Sequence, residues 1–247
     1  MCLTIYFAGY FSGFSAVIIK WPMNQLVTDE VFFFSRDAWA EKSADLISSH
    51  FSSLIRSHGN VALVLTGGRG ASKVYDEWCK KEAFYQSRGV DIYFTDERLL
   101  SEPLEESNFS TVTKVLFNSC VPKGVSVHKI SRIGDAEVVA EQYEKIFPSR
   151  VDILLLTLGD DGHIASIFPG SPAVVESQKL FVPAHNPNNG GVRVTMTPAV
   201  LRRAESIFVL VPGIRKLNVL DKVFEDRSSY GEIPGRLIPA AKWLLCL

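Results

Sequence analysis

The 247-residue chain has only four cysteines, Cys2, Cys79, Cys120 and Cys246, and no two of them form a CxxC pair. Their scatter offers neither a zinc site nor a disulfide framework, and a reducing compartment fits this usage. An excess of one charge is also missing: 26 Lys and Arg face 27 Asp and Glu, for a net charge of −1. That argues against a nucleic-acid binder relying on bulk positive charge, while leaving room for a local basic pocket for a small anion. There is no GxxxxGK(S/T) loop and no complete GxGxxG, which disfavours nucleotide binding. There is no GxSxG elbow, which disfavours a serine hydrolase. His50, His58, His128 and His185 show no metal-ligand spacing. No repeat, low-complexity segment or linker divides the chain, so residues 23–247 read as a single domain.

Charge is absent altogether from Met1 to Ile19, with Lys20 the first charged residue. That length approaches a membrane span, but Thr4, Gly9, Ser12, Gly13 and Ser15 dilute it. The basic n-region and small-residue cleavage site of a secretory signal are not evident. Residues 1–22 therefore read as an apolar extension of unclear role, and a membrane role is disfavoured.

The whole chain has 47% hydrophobic and 21% charged residues, the proportions of an ordinary globular protein. Buried strands are expected at Val31–Phe34, Val61–Leu65, Val90–Thr95, Val151–Leu158 and Ser206–Val211. Shorter strands are expected at Lys179–Pro183 and Arg193–Met196. Helical spacing recurs between them: Ala40 to Ile55, ending near Gly59; a helix through Val74 and Trp78; Phe109–Phe117; Ala136 to Ile146; and, after Pro212-Gly213, a helix through Leu217, Leu220 and Phe224. Pro103–Asn108 and His185–Gly191 read as loops, and Leu237–Leu247 as an apolar tail packed back on the body. Alternating strands and helices indicate an α/β fold, a mostly parallel sheet covered by helices on both faces.

Four strands in this reading end in polar or Gly-rich turns, after Leu65, Thr95, Leu158 and Val211, and parallel strands bring such turns to one edge. Gly67-Gly68-Arg69-Gly70 opens a helix and suits an anion, because backbone N–H groups and the helix dipole face it. Such turns are also common for packing reasons alone. Asp96-Glu97-Arg98 has a plain reading as a solvated charge cluster. The most abrupt change follows the apolar run from Val151, which breaks into Gly159-Asp160-Asp161-Gly162-His163. A histidine beside a carboxylate can take and return a proton near neutral pH. A turn whose histidine merely satisfies a backbone group is, on residue types alone, an equal reading. Arg193 and Lys216 are lone cations for which solvent exposure is the plain reading. Lys216 falls in the first turn of an expected helix, where the dipole disfavours a cation unless an anion is bound.

Five pieces taken in order resemble the glucosamine-6-phosphate isomerase/6-phosphogluconolactonase family, and within it the lactonases. They are Leu65–Gly68, Thr95–Arg98 with Ser107-Asn108, Gly159–Gly170, Arg193–Thr197, and Gly213–Lys216. The third is specific, and the others gain force from their order. Two features depart from the family pattern. The glycine turn continues as Arg69-Gly70-Ala71 rather than Ser-Thr-Pro, and Thr157 stands where the first Gly of Gly-x-Gly belongs. The resemblance implies the three-layer fold of sugar-phosphate isomerases and deaminases (NagB/RpiA-like). It also implies cytoplasmic hydrolysis of 6-phospho-D-glucono-1,5-lactone with no metal and no cofactor, by a monomer or weak homodimer without nucleic-acid partners. Carried over to this chain, His163 is the base, Asp161 orients it, and Asp96 places water or a sugar hydroxyl. Gly67, Gly68, Arg69 and Gly70 with Arg193 and Lys216 hold the phosphate, and Arg98 steers the anion or stabilises the product carboxylate. A deaminase or isomerase of the same fold carries a Glu five positions after its histidine, where this chain has Phe168. A non-catalytic sugar-phosphate-binding module is the remaining alternative.

Overall fold

A computed structural model describes residues 29–81, 88–99, 107–224 and 229–246, together with the backbone of two short strands nearer the N-terminus. Those strands, β1 (Ile5–Phe7) and β2 (Val17–Ile19), pair antiparallel. The rest of the apolar extension expected over residues 1–22 lies outside the described residues, as do residues 103–106 of the expected loop.

Seven parallel strands form the main sheet: β3 (Glu30–Phe34), β4 (Val61–Leu65), β5 (Val90–Phe94), β7 (Val125–Val127), β8 (Val151–Thr157), β11 (Ala204–Val211) and β12 (Lys242–Cys246). Their order is β3-β12-β11-β8-β4-β5-β7. The apolar run Ile153–Leu156 of β8 has a direct cause: six of the strand's seven residues are buried, Asp152 among them, so both faces of the sheet are covered there. Helix α1 (Trp39–His58) turns its Ala44, Ile47, Phe51 and Leu54 inward and stops at Gly59, whose φ of 75° suits a residue without Cβ. The later helices are α2 (Arg69–Trp78), α3 (Asn108–Phe117), α4 (Ala136–Ile146), the short α5 (Pro198–Leu201) and α6 (Leu217–Phe224). Side-chain caps set the starts of three of them: Ser107 accepts from Ser110 N, Asp135 from Glu137 N and Val138 N, and Thr197 from Ala199 N. Among the described residues no helix is long and apolar enough to cross a membrane.

Three expectations are corrected. Asp96-Glu97-Arg98 is not a solvated strand end but a separate strand, β6 (Asp96–Arg98). It belongs to a second, antiparallel sheet in the order β6-β10-β9, with β9 (Phe181–His185) and β10 (Val192–Met196). Asn108 is the first residue of α3 rather than loop. The apolar tail does not lie on the body; as β12 it runs inside the main sheet, between β3 and β11.

Candidate active site

Strands β11, β8, β4 and β5 are consecutive neighbours and all parallel. The turns after Leu65, Leu158 and Val211, and the passage from β5 into β6, therefore gather at one edge of the sheet. Direct contacts tie them together. Gly70, at the start of α2, sits so close to Pro212 that a Cβ there would lie 2.6 Å from the proline ring. Gly67 lies under the side chain of Asn108, leaving no room for a Cβ. Gly68 holds a φ of 94° as the N-cap of α2. Glycine at these positions is thus required by close approach and backbone conformation, and the N–H groups of the α2 N-terminus open onto this edge.

After β8 the chain folds back on itself. Gly159 N donates to His163 O at 2.8 Å, and Leu158 and Ile164 form an antiparallel bridge. This tight loop lays the His163 ring directly over Gly159, where any Cβ would collide with it. Asp161 Oδ1 accepts from the His163 backbone N–H at 3.1 Å and lies 2.5 Å from its Nδ1. With Asp161 as acceptor, Nδ1 carries the proton, and Nε2 is the nitrogen that can take one from a reactant. The His163 side chain is 32% exposed, enough for a reactant to reach it. Burial raises the Asp161 carboxyl, but the hydrogen bond and charge of His163 outweigh it and hold the group below the usual aspartate range. Phe168, buried, packs on the imidazole with ring centroids 5.0 Å apart.

Lys216 reaches the same loop from a short 3-10 turn, Ile214–Lys216, that precedes α6; it does not lie in the first turn of the α-helix. Its Nζ donates to Leu158 O and stands 3.3 Å from Asp160 Oδ1. Two of the ammonium's bonding directions therefore steady the loop.

Across the second sheet Arg193 faces Arg98, and Thr195 faces Asp96. Arg193 is only 4% exposed, so the reading of a solvated cation is corrected. Arg132 donates from Nε to the Arg98 carbonyl, adding a third guanidinium that sequence reasoning did not single out. Asp96 is buried as well. Thr95 Oγ1 donates to its Oδ1 at 2.8 Å, Asn108 Nδ2 to Oδ1 at 3.1 Å, and Ser166 Oγ to Oδ2 at 2.7 Å. Glu97, 1% exposed, points the other way and accepts from Ser107 Oγ, Asn108 N and Phe109 N. It is a carboxylate at a helix N-terminus, complementing the dipole of α3.

Most of the expected site residues thus share one edge: His163, Asp161 and Lys216 through the β8 loop, and Asp96, Arg98 and Arg193 through β6 and β10. The Gly67–Gly70 turn joins the first group through Pro212 and the second through Asn108. Sequence reasoning left Ser166, Thr195 and Asn108 without roles. Period-two alternation from Arg193 to Thr195 was the available signal for Thr195.

The model of a family described as glucosamine-6-phosphate isomerases/6-phosphogluconolactonase matches residues 35–245. A 6-phosphogluconolactonase of Synechocystis is 26% identical over 220 residues, covering 83% of this chain and 90% of its own. Among solved structures, a 6-phosphogluconolactonase from Leishmania guyanensis superposes with a TM-score of 0.74 at 28% identity, over 87% of this chain and 95% of its own. One from Shewanella baltica reaches a TM-score of 0.77 at 22% identity, over 91% and 99% respectively, a likeness of fold.

Proposed function

Since the chain belongs to the glucosamine-6-phosphate isomerase/6-phosphogluconolactonase family, we propose that it hydrolyses 6-phospho-D-glucono-1,5-lactone to 6-phospho-D-gluconate, with His163 as general base. The observation that carries this reading is the His163 ring, tied through Nδ1 to Asp161 and resting on Gly159. In the reaction, Nε2 takes a proton from water as the water oxygen bonds to the lactone carbonyl carbon. The tetrahedral intermediate collapses with cleavage of the bond to the ring oxygen, and the imidazolium returns its proton to that oxygen. The product acid then loses its own proton to solvent. Asp161 stabilises the transient imidazolium and keeps the ring in the reactive tautomer.

The substrate phosphate is held by the N–H groups of Gly67 to Gly70, with Arg69, Arg193 and Lys216 supplying positive charge. Arg98 steers the anion and meets the product carboxylate. The reaction is the second step of the oxidative pentose phosphate pathway, and we place it in the cytoplasm. Phe168 supports the lactonase over the deaminase, since an apolar ring packs on His163 where a deaminase uses an ionisable group.

The test is a lactone-hydrolysis assay, corrected for spontaneous opening, of wild type beside His163→Ala, with glucosamine 6-phosphate as a parallel substrate. Loss of the base is expected to cut kcat by about 10²–10⁴-fold, with a much smaller change in KM. Near-normal turnover by His163→Ala would remove the imidazole from the mechanism. Release of ammonia from glucosamine 6-phosphate without lactone hydrolysis would make the deaminase correct. Binding of 6-phosphogluconate with neither reaction would leave a sugar-phosphate-binding module.

A further inference from the structure

We infer that Asp96 is a positioning residue, a buried clamp that fixes the His163 loop to the Gly67 turn. The inference rests on the preceding reading of the site and assigns Asp96 a different task from direct contact with water or sugar.

The carboxylate sits where two loops that are distant in sequence come together. Oδ2 accepts the hydroxyl of Ser166, 70 positions along the chain and three residues beyond His163. Oδ1 accepts Nδ2 of Asn108, which also donates to the Asp96 carbonyl at 2.8 Å. Asn108 is in turn the side chain pressed onto Gly67. Ser166 is held from a second side, its N–H donating to Thr195 Oγ1 at 3.0 Å, and Thr195 is the register partner of Asp96. Asp96, Asn108, Ser166 and Thr195 are 6%, 3%, 2% and 0% exposed. A buried, hydrogen-bonded network of this kind has one low-energy arrangement, because breaking any of its bonds strands a buried polar group.

The network fixes both ends of the proposed substrate. In the proposed reaction the base acts at the lactone carbonyl, and the Gly67–Gly70 turn holds the phosphate. Asp96 is the only residue in this set bonded both to the His163 loop and to the side chain covering Gly67. A misplacement near 1 Å in such a site costs about 10²-fold in rate. Ala165, between His163 and Ser166, has a φ of 50°, an uncommon conformation for a residue with Cβ, and the bond from Ser166 to Asp96 closes the chain just after it.

A double-mutant cycle reads the coupling. Ser166→Ala removes the bond on the base side and Asn108→Ala the bond on the phosphate side. If Asp96 joins the two, each substitution lowers kcat and raises KM for the phosphorylated lactone, each by about tenfold. Together they then cost much less than the product of the single effects. Ser166→Thr, which keeps the hydroxyl, restores most of the loss. Independent loops would give a kcat effect from Ser166→Ala alone, a KM effect from Asn108→Ala alone and a multiplicative double mutant, which would overturn the inference. Should Asn108→Ala not fold, Ser166→Ala decides by itself, since an unchanged KM would sink the clamp.

NMR chemical shifts of the His163 ring need no activity. Asn108→Ala, or Ser166→Ala in its place, should move the ring Hδ2 and Hε1 resonances when Asp96 is present and not in an Asp96→Ala background. Resonances that ignore either substitution overturn the clamp. If wild type shows no lactone hydrolysis, the functional reading has failed, and these shifts still decide the clamp.

Discussion

A methyl group at position 159 would occupy the space of the His163 ring. The colliding atoms belong to a side chain that can swing aside, so Gly159→Ala should fold normally and melt within a few degrees of wild type. The displaced ring loses Asp161, and kcat should fall by about 10²-fold with little change in KM. A turnover near wild type would show that the ring does not need its floor. Asp161 gives a second residue-level expectation, in pH. Its folded value is depressed below the unfolded one of about 3.9. Its contribution to stability is therefore complete above about pH 4 and is lost as pH falls through the lowered folded value. Asp161→Asn should flatten the acid side of a plot of Tm against pH, and an unchanged slope would disconnect the pair from stability. At this scale the sequence was most legible where residue type changes abruptly, as from Leu158 to His163. It was least legible at Arg193, because no local pattern announces that a cation on a short strand will be covered by its neighbours.

Helix α3 begins against a carboxylate contributed by another element. Glu97 accepts Asn108 N at 3.0 Å and Phe109 N at 2.9 Å, along with the hydroxyl of Ser107, the cap residue itself. Glu97→Gln places an amide among donors at a site 1% exposed. It should cost on the order of 1–3 kcal/mol, read as a lower urea midpoint with an unchanged m-value. A loss below about 0.5 kcal/mol, the size of an ordinary surface change, would show that Glu97 is not what starts the helix. Adjacent charges are usually solvated, and β6 is too short for alternation to be visible, so its burial depends on pairing with β10 about a hundred residues later. Helix α1 was legible for the opposite reason, its apolar stripe and closing Gly59 being local. The same helix predicts a second pH effect. His50 lies 2.7 Å from Ser206 of β11. Burial, with Lys242 nearby, lowers its pKa despite Glu205 and Glu30. The unfolded chain then binds the extra proton more readily. Stability due to neutral His50 is full above about pH 6.5 and declines as pH drops through the folded value. His50→Gln should weaken the dependence of Tm on pH between about 5 and 7.

The order of the whole sheet is where local reading ends. The parallel strands β4, β5, β8 and β11 and the common edge of their turns follow from buried apolar runs separated by helices, and the core assembles from those runs. That the last strand is interior does not follow, since an apolar segment near a terminus looks the same whether it covers a sheet or enters it. β12 lies parallel to both β3 and β11. Leu244 is fully buried and its carbonyl accepts the indole N–H of Trp39 in α1 at 2.8 Å, a link across 205 positions. Asp29 binds Ala241 N at 2.9 Å and Trp243 Nε1 at 3.2 Å, fastening the start of the first core strand to the start of the last. Without β12, β3 has no neighbour within the sheet, β11 has an open edge, and the indole of Trp39 keeps no partner at that point. A chain cut after Ala241 should therefore lose near-UV circular dichroism and cooperative unfolding, although His163 and the Gly67–Gly70 turn are untouched. Leu244→Pro, which removes one ladder N–H in the full-length chain, should be destabilising by about 3 kcal/mol or more. A truncated chain that melts cooperatively near the wild-type Tm would mean that β3 and β11 can close the core without it.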